Sequence, residues 1–79
     1  MVTVYAIISE MNGDIYVGMT TDIEKRIKQH NTGKSKYTKT LLAWRILYTE
    51  QQQEWVSARK REKYLKSGIG KEFLRSLVP

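Results

Sequence analysis

Residues 2–9, VTVYAIIS, and residues 14–18, DIYVG, joined through Asn12-Gly13, decide the fold. In the first run Val2, Val4, Ala6 and Ile8 alternate with Thr3, Tyr5, Ile7 and Ser9. Alternation rich in β-branched residues is the pattern of a strand. Asn12 and Gly13 both tolerate positive φ, so a hairpin returns the chain into a second strand. A two-residue turn would pair Ser9 with Tyr16 and Ile7 with Gly18. Tyr5 and Tyr16 then share a sheet face, and any loop with an even number of residues keeps that parity.

Outward from the hairpin, Thr21 followed by Glu24 reads as a capping box that starts a helix. Ile23 and Ile27, four apart, give that helix a buried stripe. Asn31-Thr32-Gly33 ends it, with Gly33 able to take the left-handed conformation. Residues 34–40, KSKYTKT, form a basic loop. Residues 42–49, LAWRILYT, read as a third strand in which Trp44, Ile46 and Tyr48 alternate with Arg45 and Leu47. A second helix is expected from about Gln53 to Lys66, punctuated by Gly68 and Gly70. A short third helix follows, with Ile69, Phe73, Leu74 and Leu77 covering the sheet. The order ββαβαα predicts a small α/β domain: a three-stranded antiparallel sheet flanked by helices.

At 79 residues the chain suits one domain, 1–79,. A domain of this size removes roughly 60% of its unfolded surface on folding, so each core position matters. The absence of cysteine excludes disulfides and cysteine–zinc sites,. A single histidine, His30, excludes a multi-histidine metal site. Any metal must rest on carboxylates and water, which suits Mg²⁺ or Mn²⁺. No apolar run approaches the ~20 residues of a membrane span, and the amino terminus does not read as a signal peptide. A cytoplasmic setting is the resulting expectation. The net charge is +6, from 14 Lys and Arg against 8 Asp and Glu. Such a surplus favours polyanions, nucleic acid first, although it also serves as a solubilising surface. The cations fall in two groups: Lys25, Arg26, Lys28, Lys34, Lys36 and Lys39, then Arg59, Lys60, Arg61, Lys63 and Lys66 around Glu62.

Five residues carry the candidate chemistry. Tyr5 and Tyr16 are the paired strand phenols, although tyrosine is also simply a good strand residue. Gly18 ends the second strand, where glycine often admits a close approach of backbone or ligand. Arg26 and His30, four apart, share a helix face at the edge of the Ile23/Ile27 stripe. Arginine can hold a phosphate through two parallel hydrogen bonds, and histidine, with a reference pKa near ~6.5, can move protons at neutral pH. Glu62 stands in an inward line with Trp55, Ala58 and Leu65. A carboxylate aimed at a core edge needs a partner. A salt bridge to a neighbouring cation, a rim position rotated outward, and a bound metal each satisfy it.

Taken in order, Thr3-Val4-Tyr5 and Tyr16-Val17-Gly18, eleven residues apart from tyrosine to tyrosine, resemble the two name-giving tripeptides of the GIY-YIG nucleases. Arg26 stands ten residues after Tyr16, and His30 four later, as in that family. Residues 30–34, HNTGK, with residues 37–39, YTK, and residues 58–66, ARKREKYLK, resemble segments of its small stand-alone bacterial members. The amino-terminal catalytic domain of the excision-repair incision subunit is similar.

The resemblance implies the GIY-YIG endonuclease fold and hydrolysis of phosphodiester bonds in DNA, branched or damaged, in repair or recombination. It implies a single Mg²⁺ or Mn²⁺ on Glu62, Tyr5 as general base, and Arg26 steadying the phosphate. Tyr16 and His30 would orient water and phosphate oxygens or help move protons. Lys25, Lys34, Lys36, Tyr37, Lys39, Arg59, Lys63 and Lys66 would meet the nucleic acid. Four departures stand out. Thr3 and Val4 replace the first two residues of the GIY triplet, and both suit a strand. Met19 replaces a lysine of some relatives. Leu41-Leu42-Ala43 replaces a basic, proline-containing stretch. A late asparagine of some members has no counterpart. The Leu41-Leu42-Ala43 stretch weakens one side of the implied DNA track, while Met19 and the missing asparagine motivate the alternative of a non-catalytic nucleic-acid-binding module on the same fold.

Overall fold

The computed structural model describes residues 1–33 and 43–79. The elements are β1 (Val2–Ser9), β2 (Ile15–Thr20), α1 (Ile23–Asn31), β3 (Trp44–Gln52), α2 (Trp55–Lys66) and α3 (Gly68–Ser76). They follow the ββαβαα order and make the expected α/β fold. The three strands form one antiparallel sheet in the order β2-β1-β3. Strand β1 is central and every one of its residues is buried. Its near-continuous apolar run therefore serves two faces at once.

The hairpin register differs by two residues from the tight-turn expectation. Tyr5 pairs with Gly18 and Ile7 with Tyr16. The turn is four residues long, closed by the Ser9 N–H donating to the Asp14 carbonyl at 2.8 Å. Gly13 takes the left-handed conformation within it, at φ 79°. Asn12 spends its side chain on Asp14, accepting from the Asp14 N–H at 2.9 Å. The loop length is even, so Tyr5 and Tyr16 still share a face.

A β-bulge changes β3. Ile7 pairs with Ile46 but Ala6 pairs with Tyr48, leaving Leu47 as the extra residue,. Trp44 and Ile46 consequently stay on the face of Tyr5 and Ile7, whereas Tyr48 crosses to the other. The simple alternation expected of Trp44, Ile46 and Tyr48 is corrected in this respect.

Each face buries its own cluster. Val2, Val4, Ala6 and Val17 pack with Ala58 and Leu65 of α2 and Leu74 of α3. On the other face Tyr5, Ile7 and Trp44 pack with Tyr16 and with Ile23 and Ile27 of α1. The α1 stripe is thus as expected, but its cap is not. Asp22, not Thr21, is the N-cap, accepting from the Lys25 N–H at 3.1 Å. The carboxylate has the same reach to the first turn and is anionic at the positive helix end. Gly33 has φ 77° just after α1, as its sequence position required.

In α2 Trp55 is 52% exposed and leaves the inward line, which reduces to Ala58, Glu62 and Leu65. Ile69 and Phe73 of α3 and Leu77 at its C-cap are exposed, so Leu74 alone of the four expected residues is buried. The reason is Gly70, which brings α3 directly against α2. A Cβ there would collide with the Tyr64 carbonyl and the Leu65 backbone. That close crossing turns one narrow stripe of α3 inward. The basic loop at 34–40 and Leu42 lie outside the described residues.

Candidate active site

Strand β1 aims Tyr5 onto the α1 face of the sheet, and its neighbour across the ladder is Gly18. A side chain at that position would block the phenol. A Cβ built on Gly18 would stand 2.6 Å from the Tyr5 hydroxyl and 3.2 Å from the Tyr16 ring. The missing side chain lets the phenol lie across β2, the edge strand, with its hydroxyl toward the sheet margin.

There Tyr5 Oη meets His30 Nε2 at 2.9 Å. His30, on the last turn of α1, is fully buried. Its ring lies 5.0 Å from Tyr16 and 5.8 Å from Tyr5, centroid to centroid, and the two phenol rings are 6.4 Å apart. Asn31 locks this end of α1 to β3. Its side-chain amide donates to the Trp44 carbonyl at 2.9 Å, and its oxygen accepts from the Trp44 N–H at 2.7 Å. Neither Asn31 nor Trp44 was marked for a role in the site by its sequence context. Their contact spans thirteen residues, and no local pattern announces it.

Arg26, one turn before His30, is half-buried and donates to Gln29 Oε1 at 3.0 Å. Burial opposes its charge, but hydrogen bonding to Tyr5 and the nearby phenols outweigh that and hold its pKa up. Burial pushes the Tyr5 phenol up; the hydrogen bond and charge of Arg26 pull it back, Tyr16 and Glu62 push it further, and the net direction is upward. Burial, with repulsion from Arg26, pushes the His30 imidazole down to about 4. At neutral pH the pair is therefore a protonated phenol beside an uncharged imidazole.

Glu62 approaches from the other layer. Helix α2 packs on the opposite face yet touches β2 as well as β1, and the carboxylate is near enough to act electrostatically on Tyr5. Its side chain is only 12% exposed. Lys66 Nζ lies 3.4 Å from it and Arg59 Nε 3.9 Å. These are contacts to cations more than half exposed, which hold a carboxylate weakly,. Arg61, expected among the cations around Glu62, instead grips Glu50 of β3 through two hydrogen bonds of 2.8 and 3.0 Å.

Tyr5, Tyr16, Arg26 and His30 thus converge on one sheet face, with Glu62 reaching their margin from behind the edge strand. Lys25, Lys63, Lys66 and Arg59 are exposed, the last two around Glu62. Lys34, Lys36, Tyr37 and Lys39 lie outside the described residues.

A family model, described as the GIY-YIG catalytic domain, matches residues 1–72. The chain belongs to the GIY-YIG family. This is a family of nucleases, whose substrates are nucleic acids. A UPF0213 protein of Streptococcus agalactiae is 48% identical over 40 residues, 49% of this chain and 46% of that protein. A UPF0213 protein of Streptococcus pneumoniae is 36% identical over 67 residues, 80% of this chain and 68% of its own length. The match spans about half the length of the first of these relatives. The solution structure of a UPF0213 protein from Bacillus halodurans superposes with a TM-score of 0.57 at 36% identity, covering 98% of this chain and 85% of that one. The sheet and helices are therefore those of the GIY-YIG fold in its UPF0213 form. Among the described residues no helix is long and apolar enough to cross a membrane.

Proposed function

We propose that this GIY-YIG domain is a divalent-metal-dependent endonuclease that hydrolyses phosphodiester bonds in DNA, branched or damaged, in repair or recombination. The observation that carries the reading is the buried Tyr5–His30 pair beside Arg26, opened to the sheet margin by Gly18.

The pair solves a difficulty of phenol chemistry. A buried tyrosine is a poor base because its own proton is held tightly. His30, uncharged at neutral pH, places Nε2 2.9 Å away, an acceptor in the tautomer that carries its proton on Nδ1,. As Tyr5 Oη takes a proton from the attacking water, its own proton passes to His30 Nε2. The phenol then never has to exist as a free phenolate. Arg26 places a fixed positive charge beside both phenols, where a phosphate acquiring negative charge would be held. Tyr16, its ring tilted 60° against His30 at 5.0 Å, completes the wall that orients water and phosphate oxygens.

Glu62 is the residue to hold the metal. Among the described residues no group of three metal-ligating side chains exists, and a single carboxylate suits Mg²⁺ or Mn²⁺, which keep several waters and take the rest of their ligands from substrate phosphate. The two exposed cations on Glu62 can give way to such an ion at little cost,. When bound, the metal supplies Lewis-acid stabilisation of the phosphate and the leaving oxygen. Lys25, Arg59, Lys63 and Lys66 contribute contacts to the DNA backbone, as would the sequence-assigned Lys34, Lys36, Tyr37 and Lys39.

The test is incubation of the purified protein with branched, nicked and linear DNA in Mg²⁺ or Mn²⁺. Cleavage is expected, lost in Glu62→Ala and in chelator. Cleavage by Glu62→Ala equal to that of the native chain would sink the assignment. DNA binding with no cleavage under any metal would leave the non-catalytic module in its place.

A further inference from the structure

Beside the site, a cavity of about 710 Å³ opens at the hairpin end of β2. Asp14, Ile15 and Tyr16 of the hairpin line one side; Lys66 of α2 with Lys71 and Arg75 of α3 line the other. Three cations thus face a single acid in the cavity wall. That acid, Asp14, accepts a side-chain hydrogen bond from Asn12 at 3.2 Å. Among the described residues no acid lies within ion-pair distance of Lys71 or Arg75. They stand four apart on α3, hence on one face and about 6 Å apart along the axis.

The cavity is continuous with the catalytic margin at two points. Tyr16 belongs to both, and Lys66 is the cation 3.4 Å from Glu62. We infer that this cavity is a backbone-binding channel for the DNA strand, in which Lys71 and Arg75 each hold a phosphate flanking the scissile one. The inference rests on the nuclease reading for its ligand, and it adds α3 to the DNA-binding surface. A strand whose reacting phosphate lies between Arg26 and Glu62 continues past Tyr16 and Lys66 toward Lys71 and Arg75, the two lining cations with no acid within ion-pair distance among the described residues. Aligned unpaired cations repel one another, and a polyanion removes that repulsion while releasing its own counterions.

DNA affinity measured against salt concentration tests this. The Glu62→Ala protein in chelator is used, so that cleavage plays no part. Each phosphate contact contributes about 0.9 to the slope of log affinity on log salt for duplex DNA. Lys71→Ala/Arg75→Ala is expected to reduce the slope by about 2, with the melting temperature unchanged. Lys28→Ala/Arg45→Ala removes equal charge elsewhere and is expected to leave the slope nearly intact. A slope unaffected by Lys71→Ala/Arg75→Ala, or reduced equally by both pairs, overturns the channel while the nuclease reading stands. Absence of DNA binding by the parent Glu62→Ala protein overturns both.

Discussion

Gly18 matters for what it lacks. Any Cβ there meets the Tyr5 hydroxyl at 2.6 Å, so Gly18→Ala must move the phenol off its line to His30. The expected result is a fall in cleavage of about 10²-fold, a stability loss of about 1–3 kcal/mol, and DNA binding close to native. Undiminished cleavage by this variant would remove Tyr5 from the mechanism. His30 has a second consequence. Its pKa is about 4 in the fold and 6.5 ordinarily, so below pH 6.5 the unfolded chain takes up a proton that the folded one refuses. Stability is then full above pH 6.5 and falls as the pH drops toward 4, by up to about 3 kcal/mol. Urea denaturation at pH 7 and pH 4.5 checks it: His30→Gln should lose less stability over that interval than the native chain. Parallel losses in the two proteins would show that His30 does not titrate as described.

Among the elements, α2 carries the largest structural responsibility, because it holds Glu62 while packing on the face opposite the phenols. Two contacts fix its position. One is the doubly hydrogen-bonded pair of Arg61 with Glu50 on β3. Its carboxylate is held below the usual range, mainly by Arg61, with burial opposing and Tyr48 and Gln52 assisting. The other is the crossing with α3 at Gly70, where no side chain fits. Gly70→Ala should force the two helices apart and destabilise the fold by about 1–3 kcal/mol, read as a lower urea midpoint. Because α3 carries Lys71 and Arg75, DNA binding should weaken in the same variant. A midpoint equal to that of the native chain would mean the α2–α3 crossing relaxes freely.

For the molecule as a whole, binding and chemistry draw on different parts. The net charge is +6, and among the described residues most lysines and arginines are exposed, whereas Tyr5 and His30 are buried. Chelator should therefore stop cleavage and leave salt-dependent DNA binding largely in place, as band-shift and cleavage assays on one preparation would reveal. Equal loss of both would place the metal in substrate binding instead. Much of this division is written in local chemistry. Strand alternation, an even hairpin loop and the Ile23/Ile27 stripe are set by neighbours a few residues apart, and periodicity exposes them; the order of Tyr5, Tyr16, Arg26, His30 and Glu62 is legible through the family resemblance. Other features arise between segments far apart along the chain. The bulge at Leu47, the Asn31–Trp44 clamp, the choice of Glu50 over Glu62 by Arg61, and the exposure of Trp55 all depend on which surfaces meet. So does the depth at which His30 is buried, and with it the lowered pKa that keeps the imidazole uncharged at neutral pH. Periodicity names the face a side chain occupies; only packing settles its partner and the water it loses.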